Sequence, residues 1–81
     1  MKNYDDIMAE LNSVFRNVFN NRDIVVNAET TAADIRAWDS LTHMNLVVEI
    51  ENYFGVEFNF EEVVEFKNVG DMVLAIQNKL T

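Results

Sequence analysis

Ser40 and His43 stand one helical turn apart, so a serine nucleophile with a histidine base is the first chemistry to weigh. A hydrolase would also need a group orienting the histidine, an oxyanion hole and a substrate pocket. No G-x-S-x-G elbow is present, and a chain of 81 residues has little room for a deep pocket. The carboxylate pairs Glu49/Glu51 and Glu61/Glu62 do not share a helix face, which weakens acid–base catalysis. No D-x-[DN]-x-[DN]-G calcium loop occurs. The absence of cysteine removes disulfides, thiolate zinc sites and cysteine nucleophiles, and a single histidine removes a histidine-rich metal site. Ser40 is better placed to hold a phosphate. With Asp39 as N-cap it falls in the first turn of a helix, where free N–H groups and the positive dipole end favour an anion. Capping alone is the plainer use of a serine there, and the residues themselves leave both readings open.

The elements that would position Ser40 are helical. Zero prolines and two glycines argue against a turn-rich β architecture. Tyr4, Ile7, Leu11, Val14, Phe15 and Val18 share one helical face, with Asn3 as cap, Asp6 in the first turn and Asn20-Asn21 as the stop. Val69, Met72, Val73, Ile76 and Leu80 make the buried stripe of a closing helix that Asn68 caps. From about Asn20 to Asp39 no helical period holds. A loop of that length needs anchors, and Ile24, Val26, Ile35 and Trp38 can supply them; Thr30 to Ile35 can make one short turn. Val56-Glu57-Phe58-Asn59-Phe60 alternates like a strand but has no partner, so it reads as an extended connector with Phe58 and Phe60 inward. Glu61 to Phe66 reads as a short helix with Val63, Val64 and Phe66 apolar.

The helix from Asp39 to Phe54 carries two apolar stripes. At about 100° per residue from Leu41, Leu46, Val47, Ile50 and Phe54 fall between about 140° and 240°, a core face. His43, near 200°, falls in the middle of it and reads as a packed structural histidine. Leu41, Met44 and Val48 form a separate stripe between about 300° and 0°, while Asn45, Glu49 and Asn52 face water. The second stripe either packs under the loop or the short helix, or is a semi-exposed strip offered to a partner.

The chain is one domain over residues 1–81, with 14 acidic and 6 basic side chains and a net charge of −8. Size scaling gives about 5,000 Å² of folded surface, enough for one modest core. Seven of the acids (Asp39, Glu49, Glu51, Glu57, Glu61, Glu62, Glu65) fall in residues 39–65, which hold no Lys or Arg. That field opposes binding to nucleic acid or an anionic membrane. It is either a solvated face or a docking field for basic partners. No apolar run is long enough to span a bilayer and no signal-peptide core follows Met1, so the expected compartment is the cytoplasm.

Asp34-Ile35-Arg36-Ala37-Trp38-Asp39-Ser40-Leu41, continued by Leu46-Val47-Val48-Glu49-Ile50-Glu51-Asn52-Tyr53-Phe54-Gly55-Val56, closely resembles the acyl carrier protein family. The likeness covers the whole chain, including a Val69-Gly70-Asp71 turn into the last helix. It implies an all-α, small four-helix bundle with a long loop between helices 1 and 2 and a short third helix, and no enzymatic activity of its own. Ser40 would receive 4′-phosphopantetheine from coenzyme A through a phosphodiester made by a phosphopantetheinyl transferase. Asp39 matches the residue that helps that transferase hold Mg²⁺. Leu41, Met44, Asn45, Val48, Glu49 and Glu51 match the partner-docking surface. The implied partners are the transferase, an acyl-loading ligase or acyltransferase, and ketosynthase-like or other acyl-processing enzymes, met by a monomer. An aminoacyl or peptidyl carrier, or an unmodified acidic helical interaction module, are the alternatives. The implied setting is fatty-acid, polyketide or related biosynthesis. Arg36, where the family often has glycine, and Asn45 in place of a common acid depart from the family's pattern, and Trp38 before Asp39 is more similar to carriers of specialised pathways than to the housekeeping fatty-acid carrier.

Overall fold

The computed structural model describes residues 2–80, so the two end residues of the expected 1–81 domain lie outside it. Helix α1 spans Tyr4–Val18, α2 Ser40–Phe54, α3 Phe60–Val64 and α4 Val69–Leu80, with a single 3₁₀ turn at Ala32–Asp34. No strand occurs among the described residues. Both long terminal helices begin where their caps predict. The Asn3 side chain accepts the Asp6 N–H at 2.8 Å, and the Asp6 carboxylate accepts the Asn3 N–H in return. The Asn68 side chain accepts the Asp71 N–H at 2.9 Å. Such side-chain bonds satisfy amides that the first helical turn leaves without partners.

α1 packs against α2 and α4. Ile7, Leu11 and Phe15 meet Leu46 and Ile50 of α2 and Val69, Met72, Val73 and Ile76 of α4 in one buried cluster. α2 ends at Gly55, whose φ of +68° lies in the left-handed region that a side chain disfavours. Beyond it Val56 is buried and Phe58 half-buried, so the connector is extended as expected.

The loop between α1 and α2 is fastened along its length. Asn12, buried on α1, accepts the Val26 N–H at 2.7 Å with its Oδ1 and donates from Nδ2 to the Val26 carbonyl at 3.1 Å. Arg16 Nε donates to the Ile24 carbonyl at 2.7 Å. Farther on, the carbonyls of Thr30 and Ala28 accept the first N–H groups of α4, from Val69 at 2.9 Å and Gly70 at 3.0 Å. Glycine eases that approach, because a Cβ at position 70 would sit 3.0 Å from the Ala28 oxygen, and the loop backbone would have to give by a few tenths of an ångström. Ile24, Val26 and Trp38 are buried, and Ile35 packs half-buried against the same core. The indole of Trp38 meets Phe15 edge-on, with centroids 5.2 Å apart. The loop is therefore a strap with a fixed end, and that end is the residue before Asp39.

Two expectations change. α3 begins at Phe60 rather than Glu61, because Asn59 caps it: the Asn59 side chain accepts the Glu62 N–H at 2.9 Å and Glu62 accepts the Asn59 N–H. Phe60 is consequently a first-turn residue facing outward, 74% exposed, not an inward residue of the connector. Val64, expected among the apolar packing positions, is 61% exposed, leaving Val63 as the buried residue of this short helix.

Candidate functional site

Asp39 caps α2. Its Oδ1 accepts the N–H of Leu41 at 3.0 Å and of Thr42 at 2.9 Å, while its own N–H donates to Thr42 Oγ1 at 2.7 Å. The Thr42 hydroxyl donates to the Ala37 carbonyl at 2.9 Å, tying the end of the strap to the first turn. Nothing in the sequence reading singled out Thr42, although a hydroxyl three residues after an Asp cap completes a capping box. The bond from the Thr42 N–H, helped by the Thr42 hydroxyl and the Leu41 N–H, holds the Asp39 carboxyl below the usual carboxylate range.

This geometry revises how Ser40 can serve. The amides of Leu41 and Thr42, expected to favour a phosphate, are already taken by an ionised carboxylate. Ser40 itself is exposed as the first residue of α2, and its hydroxyl forms no hydrogen bond among the described residues. It is a free alcohol at a fixed corner.

His43 does not serve it as a base. Its Nδ1 accepts the Trp38 indole N–H at 3.0 Å and its Nε2 faces the Val63 carbonyl at 3.4 Å. Both ring nitrogens are engaged elsewhere, so a Ser–His dyad is not formed. The histidine is half-buried and structural, joining the strap to α3 rather than sitting in the centre of the core. Among the described residues no group of three or more His, Cys, Asp or Glu could hold a metal ion.

The two faces of α2 separate as the angles predict. Leu46, Val47, Ile50 and Phe54 are buried. Leu41 is 78% exposed and Met44 and Val48 are each 48% exposed, so the second stripe is not packed under the loop. Phe60 and Val64 of α3 add to the exposed apolar surface. Met44, Phe60, Val63 and Val64 line a cleft of about 470 Å³ that also touches Trp38 and Ser40. Asn45 and Glu49 are exposed on α2. Glu51 departs from expectation: it is half-buried, and its Oε2 accepts the Phe58 N–H at 2.8 Å, holding the connector to α2. Glu62 is likewise committed, to Asn59 and to Lys79 at 3.0 Å. Of the acids in residues 39–65, Asp39, Glu49, Glu57, Glu61 and Glu65 are exposed.

Comparison with known proteins bears on this corner directly. Residues 23–76 match the family model described as a phosphopantetheine attachment site. An acyl carrier protein homolog of Mycoplasma genitalium is 43% identical over 42 residues, 52% of this chain and 50% of that protein. One of Ureaplasma parvum is 38% identical over 42 residues, 52% of this chain and 54% of that protein. The chain thus spans about half the length of the curated relatives it matches. The solution structure of a holo acyl carrier protein from Geobacter metallireducens superposes with a TM-score of 0.87 and 43% identity, covering 91% of this chain and 85% of that one. Among the described residues no helix is long and apolar enough to cross a membrane.

Proposed function

The chain belongs to the acyl carrier protein family, and from that premise we propose that it is a carrier, not an enzyme, with 4′-phosphopantetheine on the Ser40 oxygen. The observation that carries this is the unbonded, exposed Ser40 hydroxyl at a corner held rigid by Asp39, Thr42 and the Trp38 end of the strap. A phosphodiester there needs an alcohol open to a transferase on one side and fixed on the other, and the residues present fit that need. When attached, the arm supplies a terminal thiol that holds an acyl group as a thioester.

The chain's own residues do the remaining work. Asp39, kept ionised by its amide bonds, presents a carboxylate beside Ser40 to the Mg²⁺ of a phosphopantetheinyl transferase. Leu41, Met44 and Val48 are the apolar docking stripe, with Asn45 and Glu49 along its polar border. Basic enzymes that load or process the acyl group, a ligase or acyltransferase and ketosynthase-like enzymes, are the partners this surface suits, approached by a cytoplasmic monomer. The net charge of −8 disfavours nucleic acid and anionic membranes. Trp38 before Asp39 is the sequence feature that favours a carrier of a specialised pathway.

The carrier reading is tested by acyl loading. After treatment with coenzyme A and a broad-specificity transferase, a radiolabelled acyl group from a loading ligase should stay on the protein and be released by hydroxylamine. A Ser40→Ala chain that retains an equal hydroxylamine-labile label contradicts the reading.

A further inference from the structure

His43 is the chain's single histidine and Trp38 its single tryptophan, and they are bonded to each other. The indole N–H donates to Nδ1 at 3.0 Å, with ring planes 16° apart and centroids 5.9 Å apart. That spacing is too wide for face-to-face contact and suits a bond made in the imidazole plane, where the Nδ1 lone pair lies. Accepting at Nδ1 puts the hydrogen of the neutral ring on Nε2, which faces the Val63 carbonyl at 3.4 Å. One imidazole therefore holds the strap with one nitrogen and α3 with the other. The other ring neighbours of Trp38 are Phe15 and Phe19, which offer its N–H no acceptor.

We propose that the His43–Trp38 pair is a proton-operated latch beside Ser40: neutral His43 holds Trp38 in place, and the imidazolium releases it while keeping its bond to α3.

The two nitrogens respond differently to a proton. Protonation at Nδ1 by solvent converts the acceptor into a donor, so two N–H groups face each other at the same short distance. Nε2–H is unchanged and still donates to Val63. The indole N–H is left without a partner in a buried position, and an unmade buried bond costs more than a made one gains. Trp38 then moves toward water. Because Asp39 and Ser40 follow it directly, its release loosens the chain entering α2 and widens the cleft that Met44 and Phe60 share with it.

None of the charged groups on the surrounding elements is bonded to the imidazole among the described residues. Asp39 and Lys67 line the same cleft, and Glu62 and Glu65 come from α3 and its end. The Asp39 carboxylate is bonded to its own helix amides and Glu62 to Lys79. On the α1 side Arg16 donates to the Ile24 carbonyl. The side-chain bond that a proton on Nδ1 breaks is therefore the one to Trp38. The latch goes beyond the carrier reading and stands whether or not Ser40 is modified.

The test uses the full chain, ¹⁵N-labelled, taken from about pH 8 to about pH 5.5, above the range in which ordinary carboxylates change charge. Solvent exchange of the Trp38 indole N–H, taken relative to free indole at each pH, should accelerate about fivefold or more, in step with the His43 ring signals and at constant helicity. His43→Gln, whose amide oxygen can accept from the indole but takes no proton, should abolish that acceleration. The same acceleration in His43→Gln, an unchanged indole while His43 titrates, or loss of helicity in parallel would each overturn the latch. Should the glutamine variant not fold, the wild-type midpoints decide: coincidence of the indole and imidazole transitions supports the latch, and separation overturns it.

Discussion

Replacing Asn12 by alanine removes the side chain that holds the middle of the strap. Both backbone groups of buried Val26 are satisfied by that one amide, at 2.7 and 3.1 Å. Alanine leaves a buried donor and a buried acceptor unpaired, at about 1–3 kcal/mol each. Water admitted by the smaller side chain relieves part of this, and alanine is the better helix former by about 0.5 kcal/mol. A net loss of about 2–3 kcal/mol remains. In a domain of this size that lowers the melting temperature by roughly 8–24 °C, at about 4–8 °C per kcal/mol. Urea unfolding followed by circular dichroism measures it, with an unchanged slope showing that the same surface is exposed. Ser13→Ala is the control: exposed on the same helix, it should stay within about 0.5 kcal/mol of wild type. If Asn12→Ala costs no more than Ser13→Ala, the strap is not held from α1, and the account of how Trp38 and Ser40 are positioned fails.

Two further outcomes follow from the site. The carboxyls of Asp39 and Glu62 are lowered in the folded chain, Asp39 mainly by the Thr42 N–H and Glu62 by the Asn59 N–H and then Lys79. Their contribution is therefore complete above the ordinary carboxylate range near pH 4 and is lost as pH falls through the lowered folded values. Asp39→Asn should flatten the acid side of the stability profile, and an acid limb identical to wild type would count against the cap. Met44→Glu puts a charge into an apolar contact and should slow acyl transfer from a cognate partner by roughly tenfold at unchanged fold stability. Added salt should slow association further, and a transfer rate untouched by the substitution would place docking elsewhere.

What the sequence made legible depended on distance along the chain. The bounds of α1 and α4 follow from apolar stripes closed by Asn3 and Asn68, because cap and stripe are local. The two faces of α2 also follow from angles alone, but that Leu41, Met44 and Val48 are exposed rather than packed under the loop or α3 is settled only by the fold. Phe60 was misread because alternation at 56, 58 and 60 was carried one residue too far. The period changes at Asn59, and the Asn59…Glu62 spacing is a capping-box signal that marks the change. Asn12 gave no such signal, since its partner is the backbone of a residue 14 positions away in irregular chain. His43 was rightly read as structural, but its bond to Trp38 needed the course of the strap, which no periodicity encodes. The bond from the Phe58 N–H to Glu51 was not legible either, because contact with the connector is likewise non-local.

The account rests on Ser40 as the site of attachment, and intact mass measures that most directly. Wild type and Ser40→Ala are incubated with coenzyme A, Mg²⁺ and a broad-specificity phosphopantetheinyl transferase, beside a known carrier as positive control. The wild-type chain should gain the mass of one phosphopantetheine and the variant none. A gain that persists in Ser40→Ala, or no gain in the wild type under conditions that modify the control, contradicts the central claim.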